Sequence, residues 1–278
     1  DYNQLPSVGP GNLLKDLIDS EVIDTVKLDL LYRQSEDSYI NRFAIEIKEN
    51  NISPDFKKMK DDYAFLECSN TAIKNTLKNL CEQIVQKGYD NKKIQILAPM
   101  YMGENGIDNL NKILQNVFNP KSKEKEELIL GDIVFRENDK ILQLVNMPDE
   151  NVFNGDIGKI MKIIPANKSD SKKSEIYVDY DGMIVKYLPK DFNKIKHGFV
   201  ITIHKSQGSE FDLVILPISH SYNRMLYRKL IYTAVTRAKK KLILIGEEQA
   251  FLYGVANNNE MIRKTDLKNK LENMYNNL

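Results

Sequence analysis

The stretch Ile201–Lys240 constrains this chain most. It opens with the strand-like run ITIH, passes through the polar turn KSQGSE, and continues into a second apolar run, FDLVILP. A helix-like segment follows, closed by TAVTRAKK with Arg237 near its end, and then a further apolar run, KLILIG, from Lys241. Strand, polar turn, strand, helix, arginine, strand is the order in which a nucleotide-handling α/β domain sets a fixed positive charge at the edge of its sheet.

The remainder of the chain extends that pattern. A short helix is expected over 12–20, and an amphipathic one over Ser38–Lys48 with Ile40, Phe43, Ala44 and Ile47 on one face. A brief strand at Tyr63–Glu67 precedes a helix over Asn70–Lys87 that keeps Ile73, Leu77, Leu80 and Ile84 in register. The continuous apolar run from Lys93 to Pro99 reads as a buried parallel strand, and Asp108–Phe118 as the next helix. Strand–helix–strand order implies a parallel sheet with crossover helices. The loop Pro99–Asp108 then lies at a strand's carboxyl end, where such proteins hold ligands.

The texture changes at Lys121. A charged linker leads into short β-patterned pieces at Asp132–Arg136, Ile141–Asn146, Gly158–Ile164, Glu175–Asp179 and Ile184–Leu188, divided by turn signals such as Asn154-Gly155 and Asp181-Gly182. This is the signature of a small barrel inserted into the α/β pattern. The pattern resumes with Phe199–His204, Leu213–Pro217, a helix from about Met225 to Thr236, and Leu242–Gly246. The tail Glu247–Leu278 is helical in pattern, and its charges read as a solvated face.

Composition sets outer limits. No run approaches the roughly 18 apolar residues of a membrane span, and no basic-then-apolar leader opens the sequence, so a cytoplasmic protein with no membrane partner is expected. Cys68 and Cys81 suit a reduced cytosol as small packing residues, and their spacing suggests neither a disulfide framework nor a metal site. A net charge of +1 leaves room for a local basic groove that tracks a phosphate backbone. There is no GxxxxGK[ST] in the sequence, so any nucleotide chemistry here needs a phosphate loop from elsewhere.

Six blocks, in order, carry a family resemblance: DYNQLPSVGPG at Asp1, LYRQ at Leu31, APMYMG at Ala98, VFNGDIG at Val152, ITIHKSQGSEFD at Ile201 and YTAVTRAKK at Tyr232. Together they resemble the RecD-like DNA helicases of superfamily 1, the family of the exodeoxyribonuclease V alpha subunit, from residue 1 to about residue 250. The resemblance implies an ATP-driven motor moving 5′ to 3′ along single-stranded DNA. ATP with Mg2+ sits between two RecA-like domains, and an SH3-like barrel is inserted in the second.

On that basis residues 1–48 are expected to be the end of the first RecA-like domain and a hinge, 49–125 and 196–278 the two parts of the second, and 126–195 the barrel. The chain would be a C-terminal portion. Its partners would be single-stranded DNA and the N-terminal RecA-like domain of the same protein, which would bring the magnesium ligands. Without that domain the portion is expected to lack activity.

Several residues acquire roles through the resemblance. Arg237, which on spacing alone equally suits a helix end complementing its dipole, becomes an arginine finger. Arg33 and Gln4 become sensors of the γ-phosphate. Gly208 and Glu210 would face ATP, the glycine by letting backbone N–H groups approach a phosphate, and Tyr32 would stack on adenine or pack at the hinge. Thr202 and His204 alternate with Ile201 and Ile203, so they are expected to point away from the core and, with Lys205 and Gln207, to contact DNA. Lys159, Lys162, Lys186 and Tyr187 are candidates for a basic and aromatic barrel surface. Two other readings fit the same residues: a non-enzymatic single-strand-binding module, and the motor of a relaxase or phage helicase.

Overall fold

The computed structural model describes residues 1, 3–6, 9, 11–26, 38–258 and 264–276, with the backbone alone of Arg224. Among them a five-stranded, all-parallel sheet forms the centre of the larger body, in the order β1 (Tyr63–Glu67), β12 (Ala238–Gly246), β11 (Phe211–Ile218), β2 (Ile94–Ala98), β10 (Val200–Thr202). Every residue of β2 is buried, as expected of a strand covered on both faces.

Helices α3 (Ile73–Gln86) and α4 (Ile107–Phe118) close one face, with Leu77, Cys81, Ile84, Leu110 and Leu114 against Ile94, Ile96, Ile215 and Ile245. Helices α2 (Tyr39–Glu49), α5 (Arg228–Val235) and α6 (Glu248–Ala256) close the other. There Phe43 stacks on Phe251 at 5.5 Å and tilts against Tyr63 at 4.8 Å. The helix ending at Glu49 thus shares a core with the parallel sheet. Helices α1 (Leu13–Asp19) and α7 (Leu267–Asn276) lie against each other, and Thr265 Oγ1 donates to Asp16. Gly246 closes β12 at φ +136°, where a Cβ would run into the Ile218 carbonyl, so only glycine fits.

The insertion is all β. A hairpin of β3 (Glu127–Leu130) and β4 (Ile133–Arg136) precedes an antiparallel sheet ordered β8 (Met183–Tyr187), β7 (Glu175–Tyr180), β6 (Ile157–Ile164), β5 (Lys140–Gln143), β9 (Ile195–His197). The strands β3 and β9 were not expected from sequence. The antiparallel sheet continues through His197, past the expected boundary at 195, and only Gly198 and Phe199 separate it from β10 of the parallel sheet. Tyr187 is a core residue here, fully buried with its hydroxyl bonded to Tyr180 at 2.9 Å and Gln143 at 2.7 Å, so it offers no outer surface. Lys186 pairs with Glu175 at 2.9 Å and lies over the Tyr177 ring.

Buried polar groups key the barrel to the larger body. Asp139, with no exposed surface, accepts from Gln115 and Asn119 of α4 and its end at 2.7 Å each, and from the Arg136 backbone, with His197 Nε2 at 3.2 Å. Gln95 donates to the Gly198 and Phe199 carbonyls, and Asn111 exchanges two hydrogen bonds with the Val200 backbone on the edge strand. Lys140 of β5 donates to the Ile94 and Asn91 carbonyls at 2.7 and 3.2 Å.

Burial pushes the Lys140 amine down to about 7. The unfolded chain therefore binds this proton between about pH 7 and 10.5 while the folded chain does not, and stability rises with pH across that window. Lys140→Met is expected to stabilise the chain at pH 7 and to lose that advantage progressively toward pH 10. Chemical denaturation at several pH values checks this; a pH-independent difference would contradict the assignment.

Candidate nucleotide and nucleic-acid site

Beyond β10 the chain must return to start β11, parallel to it, and it does so without a helix, through residues 203–210. Ile201 and Ile203 anchor this crossover in the core. β10 ends at Thr202, and His204–Ser206 form a 3-10 turn. The expectation that Thr202 and His204 alternate on one outward-facing strand is therefore incorrect. Thr202 is buried, and its Oγ1 accepts from the Lys205 backbone N–H at 3.1 Å, a local cap that ends the strand early. Ser206, also buried, donates to the Ile203 carbonyl.

The crossover delivers Ser209 and Glu210 to the amino end of β11, beside the amino end of β12, where Arg237 stands. Arg237 is 3% exposed. Its Nε donates to the Thr233 carbonyl at 3.2 Å, Nη1 to the Ser209 carbonyl at 3.1 Å, and Nη2 to Gln4 Oε1 at 3.0 Å and Thr236 Oγ1 at 3.2 Å. Glu210 pairs with Lys239 at 3.2 Å. Gly208 adopts φ +84° with open space where a side chain would be, a shape that leaves its backbone approachable.

The amino-terminal segment lies along α5. Asp1 accepts from the Tyr232 hydroxyl at 2.8 Å, Gln4 from Arg237, and the Leu5 N–H donates to Thr233 Oγ1 at 2.8 Å. The Leu5 carbonyl accepts from Gln207 Nε2 at 2.6 Å. Gln207, expected to face DNA, thus uses its amide to hold Leu5. Thr233 and Ser209 were missed by sequence reasoning; their only signal was position within the two terminal blocks.

On the other side of the crossover sits the barrel's turn 153–156. Lys205 Nζ donates to Asn154 Oδ1, and Gly155, at φ +104°, packs near the Lys205 carbonyl. Between turn and crossover is a cleft of about 260 Å³ lined by Asn154, Asp156, His204, Lys205, Gln207 and Ser209 among others. Burial lowers the pKa of both His204 and Lys205, so His204 is neutral at pH 7.

The structure brings Arg237 and Gln4 into contact, places Gly208 and Glu210 beside them, and sets His204, Lys205 and Gln207 around one cleft. The loop following β2 lies at the opposite end of the parallel strands from Arg237. Tyr32 and Arg33 lie outside the described residues. Cys81 is buried, its thiol pushed up to about 12 by desolvation, and Cys68 is half-buried. Among the described residues no three His, Cys, Asp or Glu side chains gather as a metal site, and no helix is long and apolar enough to cross a membrane.

Both the parallel α/β body and the all-β insertion are matched by family models. Residues 197–245 match the UvrD-like helicase C-terminal domain, and residues 110–180 match the ATP-dependent RecD-like DNA helicase SH3 domain. The crystal structure of Pif1 helicase from Candida albicans shares the fold, with a TM-score of 0.50 at 14% identity over 92% of this chain and 61% of that one.

Relatives similar to most of the chain include RecD-like helicases. The chain is 28% identical, over 94% of its length, to the ATP-dependent RecD2 DNA helicase of Deinococcus radiodurans, of which it covers 34%. It is 26% identical, over 86% of its length, to the RecBCD enzyme subunit RecD of Buchnera aphidicola subsp. Schizaphis graminum, of which it covers 41%. The chain therefore spans between a third and about two fifths of these relatives' length.

Removing the Thr233 hydroxyl should unfasten the amino-terminal segment. Thr233→Val is expected to raise amide exchange at Leu5 by roughly fivefold, the worth of about one neutral hydrogen bond, while Thr233→Ser preserves protection. Equal exchange in both variants would show that the Thr233 hydroxyl does not hold Leu5.

Proposed function

We propose that this chain is the part of an ATP-dependent 5′–3′ DNA helicase that completes the nucleotide site and grips the single strand. The observation that carries this reading is the meeting of Arg237, Gln4 and the Ser209 carbonyl at the amino ends of β11 and β12. A planar guanidinium and a primary amide converging from segments 233 residues apart are the groups that phosphoryl transfer needs against a γ-phosphate. The two bond to each other.

The donor set fits ATP. Gly208 leaves backbone open to a phosphate, Gln4 and Arg237 supply neutral and charged donors, and Glu210 would accept from the ribose. Arg33 and Tyr32 are proposed to join them. Bound ATP with Mg2+ would supply the phosphoryl group and its counter-charge, with the metal's ligands coming from the N-terminal RecA-like domain that carries the phosphate loop. Arg237's part is to stabilise charge on the transferring group, and Gln4's is to report that the group is present.

The same segment reaches the DNA side. Gln4 touches Arg237, the adjoining Leu5 carbonyl holds Gln207, and Gln207 shares its cleft with His204 and Lys205. A strand lying in this cleft would find in Lys205 a cation and in His204 a neutral hydrogen-bonding group. Thr202 supports the turn from beneath. The names of the relatives, an ATP-dependent DNA helicase and a RecBCD subunit, agree with this assignment.

In a protein that also carries the phosphate-loop domain, Arg237→Ala is expected to lower DNA-stimulated ATP turnover by a thousandfold or more while single-strand binding persists. Unchanged turnover would favour a binding module without motor activity. The 278-residue chain alone is expected to hydrolyse no ATP, and DNA-stimulated hydrolysis by it would overturn the division of labour.

Salt dependence separates the DNA contacts. Lys205→Ala should reduce the slope of log affinity against log salt by about 0.7, the value for one phosphate of a single strand. His204→Ala at pH 7.5 should weaken binding at an unchanged slope, because the imidazole it removes is neutral. A matching fall in slope for His204→Ala would place a charged imidazole on the backbone and contradict this assignment.

A further inference from the structure

Phe153 opens the barrel turn that walls the cleft, and the residue is 45% exposed. The turn beneath it is held from several directions. The Phe153 N–H donates to Asp156 Oδ2 at 2.7 Å, and the Asp156 N–H returns to the Phe153 carbonyl at 3.0 Å. The Asn154 N–H donates to Asn146 Oδ1, Gly155 and Asp156 exchange backbone bonds with Gln143, and Val152 bridges to Met147. Lys205 ties the turn to the crossover through Asn154. A phenyl ring left in water on so constrained a turn is pre-organised, with little backbone freedom left to lose on binding.

The chemistry around it is divided. The cleft beside the turn is lined by polar groups, among them His204, Lys205 and Asn154, which suit a phosphate or sugar. Phe153, next in sequence to Asn154 of the cleft wall, adds an exposed apolar ring on the same turn. A nucleotide within a single strand presents both complements, a charged backbone and a flat base, and proteins that bind single strands pair cationic grooves with aromatic platforms for this reason. A neutral peptide would leave the cleft's cation without a matching anionic group.

We propose that Phe153 is a stacking platform for one base of a single strand whose phosphates lie along His204 and Lys205. This rests on the assignment of that cleft to DNA. The base stacks on the ring while Lys205 holds the adjoining backbone, so affinity contributed by Phe153 is independent of both base identity and salt.

The test uses the 278-residue chain with two labelled probes of equal length, an oligothymidylate and an abasic oligodeoxynucleotide, followed by fluorescence anisotropy. Phe153→Ala is expected to weaken binding of oligothymidylate by roughly 5- to 100-fold, to leave binding of the abasic probe unchanged, and to leave the salt slope unaltered. Phe153→Tyr should restore affinity. An unchanged affinity for oligothymidylate, or an equal loss on both probes, would overturn the platform while leaving the cleft's assignment intact. Failure of the unsubstituted chain to bind either probe would remove the cleft's assignment and the platform with it.

Discussion

The buried guanidinium of Arg237 is the interaction on which the site's arrangement depends. A cation taken out of water is costly unless its N–H groups are met, and here oxygens from three separate parts of the chain meet them: the end of α5, the crossover at Ser209, and Gln4. A lysine could not do this, because its donors do not splay in a plane wide enough to reach all three. The Arg237 carbonyl also accepts from the Phe211 N–H, the bond at which β11 and β12 begin to align. One residue therefore fixes the lip of the sheet, the end of the crossover and the resting place of the amino-terminal segment.

The crossover follows from how short β10 is. Parallel strands ordinarily need a connection of a dozen or more residues, usually with a helix. Here β10 stops after Thr202 and the chain turns at once, with Ile203 and Ser206 pointing into the core and the residues between and beyond them left at the surface. The consequence is functional: a helix in this place would have covered the amino ends of β11 and β12, whereas the tight turn leaves His204, Lys205 and Gln207 lining an open cleft within reach of Ser209.

Much of this body was legible because its signals are local. The buried run at β2, the amphipathic faces of α2 to α4 and the turn dipeptides of the barrel each declare themselves within a few residues. What escaped depends on distant partners. Strand β9 is a strand only because β5 lies beside it, more than fifty residues earlier in the chain. β3 follows a charged linker and takes its pairing from β4. His204 was misplaced because the β-branched run ahead of it reads as strand, while the Thr202 hydroxyl, invisible to an alternation pattern, ends that strand first. Tyr187 read as a surface aromatic because its hydroxyl partners lie on other strands. The contact of Gln4 with Arg237 has no local signal; the family resemblance marked both residues for one nucleotide site, and the fold shows that they touch.

The barrel's attachment limits how the site can move. Asp139 and Lys140 are buried and bond across the boundary between the barrel segment and the parallel-sheet body, and buried Gln95 holds the Gly198–Phe199 connection between them. Swinging the barrel as a unit would strip several of these groups of partners at once, each at about 1–3 kcal/mol for a neutral group and more for a charged one. Among the described residues, Asp1, Gln4 and Leu5 are held by side-chain bonds to Tyr232, Thr233, Gln207 and Arg237, and Leu5 is buried. When a ligand competes for Arg237, the cheapest response of this fold is to release Gln4 and shift Leu5 against Gln207, with the barrel turn standing still on the far side of the cleft.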